Sequence, residues 1–159
     1  MAVHKLLVDD FYDASFSLIA IHCRLDDFRL AYLLNKHLDI NLVRMPQDLD
    51  YKYLDANYSI YEWEDKQQQT IWNLISNVCK KEEASLQSSG SLFNTEEIIL
   101  KTYHLLPEFD KVDFFIKIST DEESIDEREL IEKLQRIPQL ITSYSIDTDQ
   151  IKSKDNLIF

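Results

Sequence analysis

Hydrophobic positions recur along this chain with two distinct periods, and each change of period marks an element. From Ser15 to Cys23 nearly every position is apolar, with Phe16, Leu18 and Ala20 set against Ile19, Ile21 and Cys23. That pattern predicts a strand buried on both faces. From about Asp26 to Leu38 the spacing lengthens, and Phe28, Leu30, Ala31, Leu34 and Leu38 fall within one arc at about 100° per residue. A helix is predicted there, with Asp26 and Asp27 at the positive end of its dipole. Ile40 to Met45 resumes as a strand, stopped by Pro46.

The same succession returns near the other end. Val112, Phe114, Ile116 and Ile118 share one face of a predicted strand from Lys111 to Ser119. Ser124 and Glu127 have the spacing of a capping box. The helix they open carries Leu130, Ile131, Leu134 and Ile137 on one side and Glu129, Glu132, Lys133 and Arg136 on the other, and Pro138 ends it. Leu140 to Asp147 is the returning strand. Between these units, Tyr58–Glu64 and Thr70–Val78 read as a hairpin across Asp65–Gln69. Glu82–Leu92 reads as a polar loop, and Glu97–Leu106 as a strand turned back by Pro107–Asp110. Two β-α-β units around hairpins predict an α+β fold. Its plan is a mainly antiparallel sheet with two helices on one face, a split β-α-β, ferredoxin-like arrangement with an inserted β-hairpin region. No linker or composition shift divides the chain, so residues 1–159 read as a single domain.

Composition narrows the partners. With 17 basic and 29 acidic residues the net charge is −12, which repels polyphosphate, so neither nucleic acid nor an anionic membrane surface is expected as a partner. The single glycine, Gly90 in Ser88-Ser89-Gly90-Ser91, is incompatible with glycine-rich phosphate cradles, and no cofactor is predicted. Leu6-Leu7-Val8 is too short an apolar patch for a signal peptide, and no apolar run approaches the roughly 20 residues of a membrane span. Cys23 and Cys79 read as free thiols of a reducing compartment, so a cytoplasmic protein is expected.

The segment Leu106-Pro107-Glu108-Phe109-Asp110-Lys111-Val112-Asp113-Phe114 resembles the signature of a family of short bacterial proteins named for that pattern, IPExxxVDY. Pro107, Glu108, Val112 and Asp113 fall in register, while Leu106 stands in place of Ile and Phe114 in place of Tyr. The resemblance implies a lineage and no activity. Phe114 at the tyrosine position points to bulk there rather than a hydroxyl.

Glu108 and Asp113 are open to two readings. As a pair across one turn they suit acid-base chemistry or a cation. Alternatively they bind backbone amides or Lys111 and fix the turn, while Leu106, Val112 and Phe114 anchor it in the core. The second reading is favoured, because turn carboxylates commonly act locally. The aromatics Tyr58, Tyr61, Trp63 and Trp72 read mainly as core, since Glu62, Glu64 and Asp65 interleave with them and oppose base stacking. The alternative is an exposed patch for a protein partner or dimer mate. His4, His22, His37 and His104 lack ligand spacing; His22 and His104 could meet near Cys23, but no metal site is predicted. The apolar end, Leu157-Ile158-Phe159, is expected to dock on its own domain or on a neighbouring subunit.

The sequence thus leads to a non-catalytic protein-interaction or regulatory module, with a possible protein partner or homodimer. The alternatives are a small-ligand-binding domain similar to ACT-type regulatory modules and, with less support, an enzyme using Glu108 and Asp113.

Overall fold

The computed structural model describes residues 15–51, 56–84, 98–120 and 125–159. Along the chain come β1 (Phe16–Cys23), α1 (Asp27–Leu38), β2 (Val43–Arg44), β3 (Leu49–Tyr51), β4 (Ala56–Tyr58), β5 (Ile60–Asp65) and β6 (Thr70–Ser76). They are followed by β7 (Val78–Ala84), β8 (Ile98–His104), β9 (Phe114–Thr120), α2 (Glu127–Gln135) and β10 (Leu140–Ile146). Short 3-10 turns occupy Pro107–Phe109, Thr148–Gln150 and Lys154–Leu157.

Six strands form one sheet in the order β10-β1-β9-β6-β5-β2, every adjacent pair antiparallel. β9 and β10 both run antiparallel to β1 and therefore parallel to each other, with α2 carrying the chain between them. β3-β4 and β7-β8 are separate two-stranded ribbons. The protein is α+β, and its sheets are antiparallel.

The two parities of β1 lead into two cores. Ile19, Ile21 and Cys23 pack with Leu30, Ala31 and Leu34 of α1, with Leu130, Leu134 and Ile137 around α2, and with Trp72, Leu74, Ile116 and Ile118. Leu18 and Ala20 belong to the other core, with Tyr58, Ile75, Leu105, Leu106, Val112, Phe115 and Leu157. A helix of 12 residues such as α1 is marginal alone in water. Burial of Leu30 and Leu34, each worth about 1.5–3 kcal/mol, is what holds it on the sheet. Its last turn ends at Asp39 in the left-handed region, φ 55°.

The structure adjusts several boundaries and faces. Phe28, expected on the apolar arc of α1, is 60% exposed, lying beyond the stripe set by Leu30, Ala31 and Leu34. The strand expected at Ile40–Met45 keeps ladder pairing only at Val43–Arg44, because Asn35 takes both the N–H and the carbonyl of Leu42 with its side-chain amide. Val112 does not share a face with Phe114 and Ile116: it precedes β9 and turns into the opposite core beside Phe115. Glu82 to Ala84, expected to begin a polar loop, continue β7 paired with β8, and their polarity reflects a ribbon exposed over most of its length. Asp126 caps α2, its carboxylate accepting from the Glu129 N–H at 3.1 Å. Ser124, the expected cap, lies outside the described residues, as does the apolar patch at Leu6–Val8.

Candidate functional site

The motif segment is built around a residue outside it. β6 ends at Ser76, and the next residue, Asn77, is fully buried. Its Nδ2 donates to the carbonyls of Phe109 (2.9 Å) and Val112 (2.8 Å), and its Oδ1 accepts from the Leu106 N–H (2.9 Å). Its backbone N–H donates to the Asp113 carbonyl, and its carbonyl accepts from the Leu105 N–H, both at 2.9 Å. One side chain thus satisfies three backbone groups of a turn whose own ladder has stopped, as burial demands. Phe109 N–H to Leu106 O and Val112 N–H to Phe109 O close the turn from within.

The two motif carboxylates point to different places. Asp113 accepts from the backbone N–H of Cys23 at 3.0 Å, tying the turn to the end of β1. Glu108 Oε1 accepts from the N–H groups of Lys152 and Ser153, both at 2.8 Å, and Oε2 from the Ser153 hydroxyl at 3.0 Å. Desolvation would raise the Glu108 carboxyl, but the bonds from Ser153, from its own backbone and from Lys152 outweigh it, and the carboxyl sits below its ordinary value. A general acid would require the opposite shift. Burial pushes the Cys23 thiol above its ordinary value; a backbone hydrogen bond at Leu25 opposes this and Asp113 adds to it. That is the setting of an unreactive cysteine.

The C-terminal segment held by Glu108 has further clasps on the same core. Asn156 Nδ2 donates to the Leu105 carbonyl at 2.7 Å, and the Tyr51 hydroxyl donates to the Asn156 carbonyl. Lys117, buried in β9, donates from Nζ to the Leu157 carbonyl at 2.6 Å and lies 4.3 Å from the centre of the Phe159 ring. Burial draws the Lys117 ammonium below the usual lysine value. The apolar chain end therefore docks on its own domain.

A groove of about 1010 Å³ opens at the other end of β9, where Thr120 lines it. Seven residues of strand, about 20 Å, separate it from the motif. Trp63 and Trp72, ring centroids 6.1 Å apart, line it together with Leu38, Ile40, Ile125 and Leu130, and Trp72 Nε1 donates to the Thr70 hydroxyl at 3.1 Å. Glu64, Asp65, Asp126 and Glu129 make its rim acidic, against Lys66 and Lys133, the latter paired with Glu129 at 2.7 Å. Indole faces beside carboxylates suit a cationic or amphipathic small molecule. Glu108 and Asp113 do not line this groove.

The other sequence candidates are dispersed. Tyr58, Tyr61 and Trp72 are buried, and Tyr58 belongs to a different core from Tyr61, Trp63 and Trp72. They do not make one exposed patch: Tyr58 ends β4 of the small ribbon while Tyr61 lies on β5 of the main sheet, the two enter separate cores, and only Trp63 of the four keeps partial exposure. His22 meets Tyr144, Nε2 to Oη 3.1 Å, while His104 lies on the separate β7-β8 ribbon. Cys23 and Cys79 are free and buried in separate cores. Among the described residues no group of three His, Cys, Asp or Glu has the arrangement to hold a metal ion, and no helix is long and apolar enough to cross a membrane.

Asn77, Lys117 and the Glu108–Ser153 clasp were not foreseen from the sequence. A signal existed for Asn77, since Asn is disfavoured in strands and follows the apolar run Leu74–Ile75. No family model, no curated protein and no solved structure matches this chain.

Proposed function

We propose that this protein is a non-catalytic interaction or regulatory module of the cytoplasm, built on a ferredoxin-like split β-α-β plan and related to the IPExxxVDY proteins. The observation that carries this reading is the use made of the two motif carboxylates: Glu108 and Asp113 each serve backbone amides, in separate places and away from the groove. Acid-base use of the pair is disfavoured by the lowered Glu108 carboxyl and by those divergent partners. The split plan draws support from β10-β1-β9, in which β1 lies between two parallel strands joined by α2, with the β5-β6 hairpin intercalated between β9 and β2. Both helices contribute to the same core cluster, which supports their lying on one face. The family relationship rests on Pro107, Glu108, Val112 and Asp113 alone.

The test is affinity capture of the tagged full chain under native conditions against a matched acidic control. Reproducible recovery of a specific partner or of untagged self supports the reading; recovery of neither counts against it.

The groove favours a second reading, a regulatory domain that binds a small metabolite between Trp63 and the acidic rim. Thermal-shift screening against amines, amino acids and other metabolites separates the two. A saturable rise in Tm that Trp63→Ala abolishes supports a ligand site, and silence across the panel removes it.

A further inference from the structure

We propose that the groove beside Trp63 is a binding site for a small organic cation, an amine or quaternary ammonium carried on an aromatic or alkyl body. The inference rests on the metabolite-binding reading of the groove and names the class of its ligand.

One face of the β5-β6 hairpin grades from core to charge as it enters the groove. The cross-strand pairs on that face are Tyr61 with Leu74, Trp63 with Trp72, and Asp65 with Thr70. Tyr61 and Leu74 are buried, Trp63 is half-buried, and Asp65 follows two residues on, about 7 Å along the strand and on the same side. Trp72 gives its only polar atom, Nε1, to the Thr70 hydroxyl, so its ring offers the groove π surface alone. Asp65 spends Oδ1 on the N–H groups of Gln67 and Gln68, and its Oδ2 makes no hydrogen bond among the described residues. An apolar body lying against Trp63 therefore sets a cationic end beside an uncommitted carboxylate oxygen.

Charge selects the occupant. Five acidic residues line the groove, with Asp39 behind α1, Glu64 and Asp65 on the hairpin, and Asp126 and Glu129 at the start of α2. Against them stand Lys66 and Lys133, and Lys133 is already held by Glu129 at 2.7 Å. The Asp39 carboxylate makes no hydrogen bond or ion pair among the described residues. A cation gains twice here, from the carboxylates and from the electron-rich indole face. An anion would meet this rim on a protein of net charge −12, and a neutral ligand would cover carboxylates without pairing them. The volume of about 1010 Å³ is that of a roomy small-molecule site.

Both tryptophans of the chain line the groove, so intrinsic fluorescence of the full chain reports its occupancy. Titration at neutral pH with phenethylamine and with benzyltrimethylammonium is expected to give a saturable change. Phenethyl alcohol is expected to bind about ten-fold more weakly, and the anion phenylpropionate not at all. Asp39→Asn and Asp65→Asn, the latter keeping the Oδ1 acceptor of its turn, are each expected to weaken the cations about three-fold. Glu132→Gln, on α2 outside the groove, is expected to bind as wild type does. Alcohol or anion binding as tightly as the amines, or both aspartate variants binding them unchanged, overturns the proposal. Should a variant fail to fold, wild type decides: cation affinity falls as added salt screens the rim, and indifference to salt refutes the assignment. If the alcohol or the anion binds and the amines do not, the cation proposal falls and the groove reading stands. If none of the four probes binds, both fall.

Discussion

Asn77 and Val112 are joined by a hydrogen bond of 2.8 Å from side-chain amide to backbone carbonyl, and this bond fixes the direction in which the motif turn enters β9. Because the same side chain also serves Phe109 and Leu106, the turn from β8 into β9 hangs on one residue set between β6 and β7. That arrangement makes the motif part of the fold's internal bracing and leads to distinct mutational outcomes.

Asn77→Ala leaves the Leu106 N–H and the Val112 carbonyl without partners, while the Phe109 carbonyl keeps the Val112 N–H. At about 1–3 kcal/mol for each orphaned group, partly relieved by local rearrangement, the expected loss is about 2–4 kcal/mol, read from urea unfolding. Asn77→Asp is sharper. Its second oxygen would face the two carbonyls that now accept from Nδ2, so this variant should be less stable at pH 7 than near pH 4, where its carboxyl can donate. An Asn77→Asp variant as stable at pH 7 as wild type would show that the bracket is not formed.

Lys117 gives a pH dependence of opposite sign to the usual lysine. Its folded value is lowered, so between that value and the ordinary lysine pKa of about 10.4 the unfolded chain binds a proton that the folded chain has released. Stability from this group therefore rises with pH across that window. The stability of wild type relative to Lys117→Met is expected to increase as pH rises through the alkaline range towards the ordinary lysine pKa of about 10.4, and a flat difference would contradict the burial of an ammonium between the β9 strand and the Leu157 carbonyl.

Gln69 closes the β5-β6 turn with φ 52°, following Asp65, whose carboxylate accepts from the N–H groups of Gln67 and Gln68. A non-glycine residue in the left-handed region costs about 1–2 kcal/mol, and glycine costs about 0.5–1 kcal/mol in chain entropy. Gln69→Gly should therefore stabilise by roughly 0.5–1 kcal/mol, seen as a raised Tm.

Much of this architecture was legible in the residues. The doubly apolar run Phe16–Cys23 is the central strand, and the stripe Leu130, Leu134, Ile137 faces the core as its spacing requires. Glu108 and Asp113 accept from backbone amides, but from Ser153 and Cys23, 45 and 90 residues away, where the local reading of Pro107–Asp113 did not point. Val112 escaped because a 3-10 turn shifts the parity just before β9. β7 escaped because beyond the buried Cys79 its residues Lys80–Ala84 are exposed or only half-buried, so no apolar alternation is needed there. The groove needs the ends of α1, α2 and the β5-β6 turn together, a juxtaposition set by topology and not by any single segment.

Glu108 also carries a pH signature. Its folded carboxyl is lowered, so its contribution is present above the ordinary carboxyl pKa of about 4.3 and is lost as pH falls through the folded value. The deficit of Glu108→Gln against wild type should accordingly shrink on acidification, followed by urea midpoints from neutral to acid pH.

The most direct measurement is the unfolding free energy of the isosteric variants Glu108→Gln and Asp113→Asn at neutral pH. Carboxylates that brace backbone amides lose charge-assisted bonds on this change, so destabilisation of about 1–2 kcal/mol for Glu108, which is half-buried, and about 1 kcal/mol for Asp113 is predicted. Carboxylates held in readiness for chemistry store strain and repulsion, and removing them commonly stabilises. Unchanged or increased stability in both variants would contradict the assignment of the Leu106–Phe114 motif to the framework of the fold.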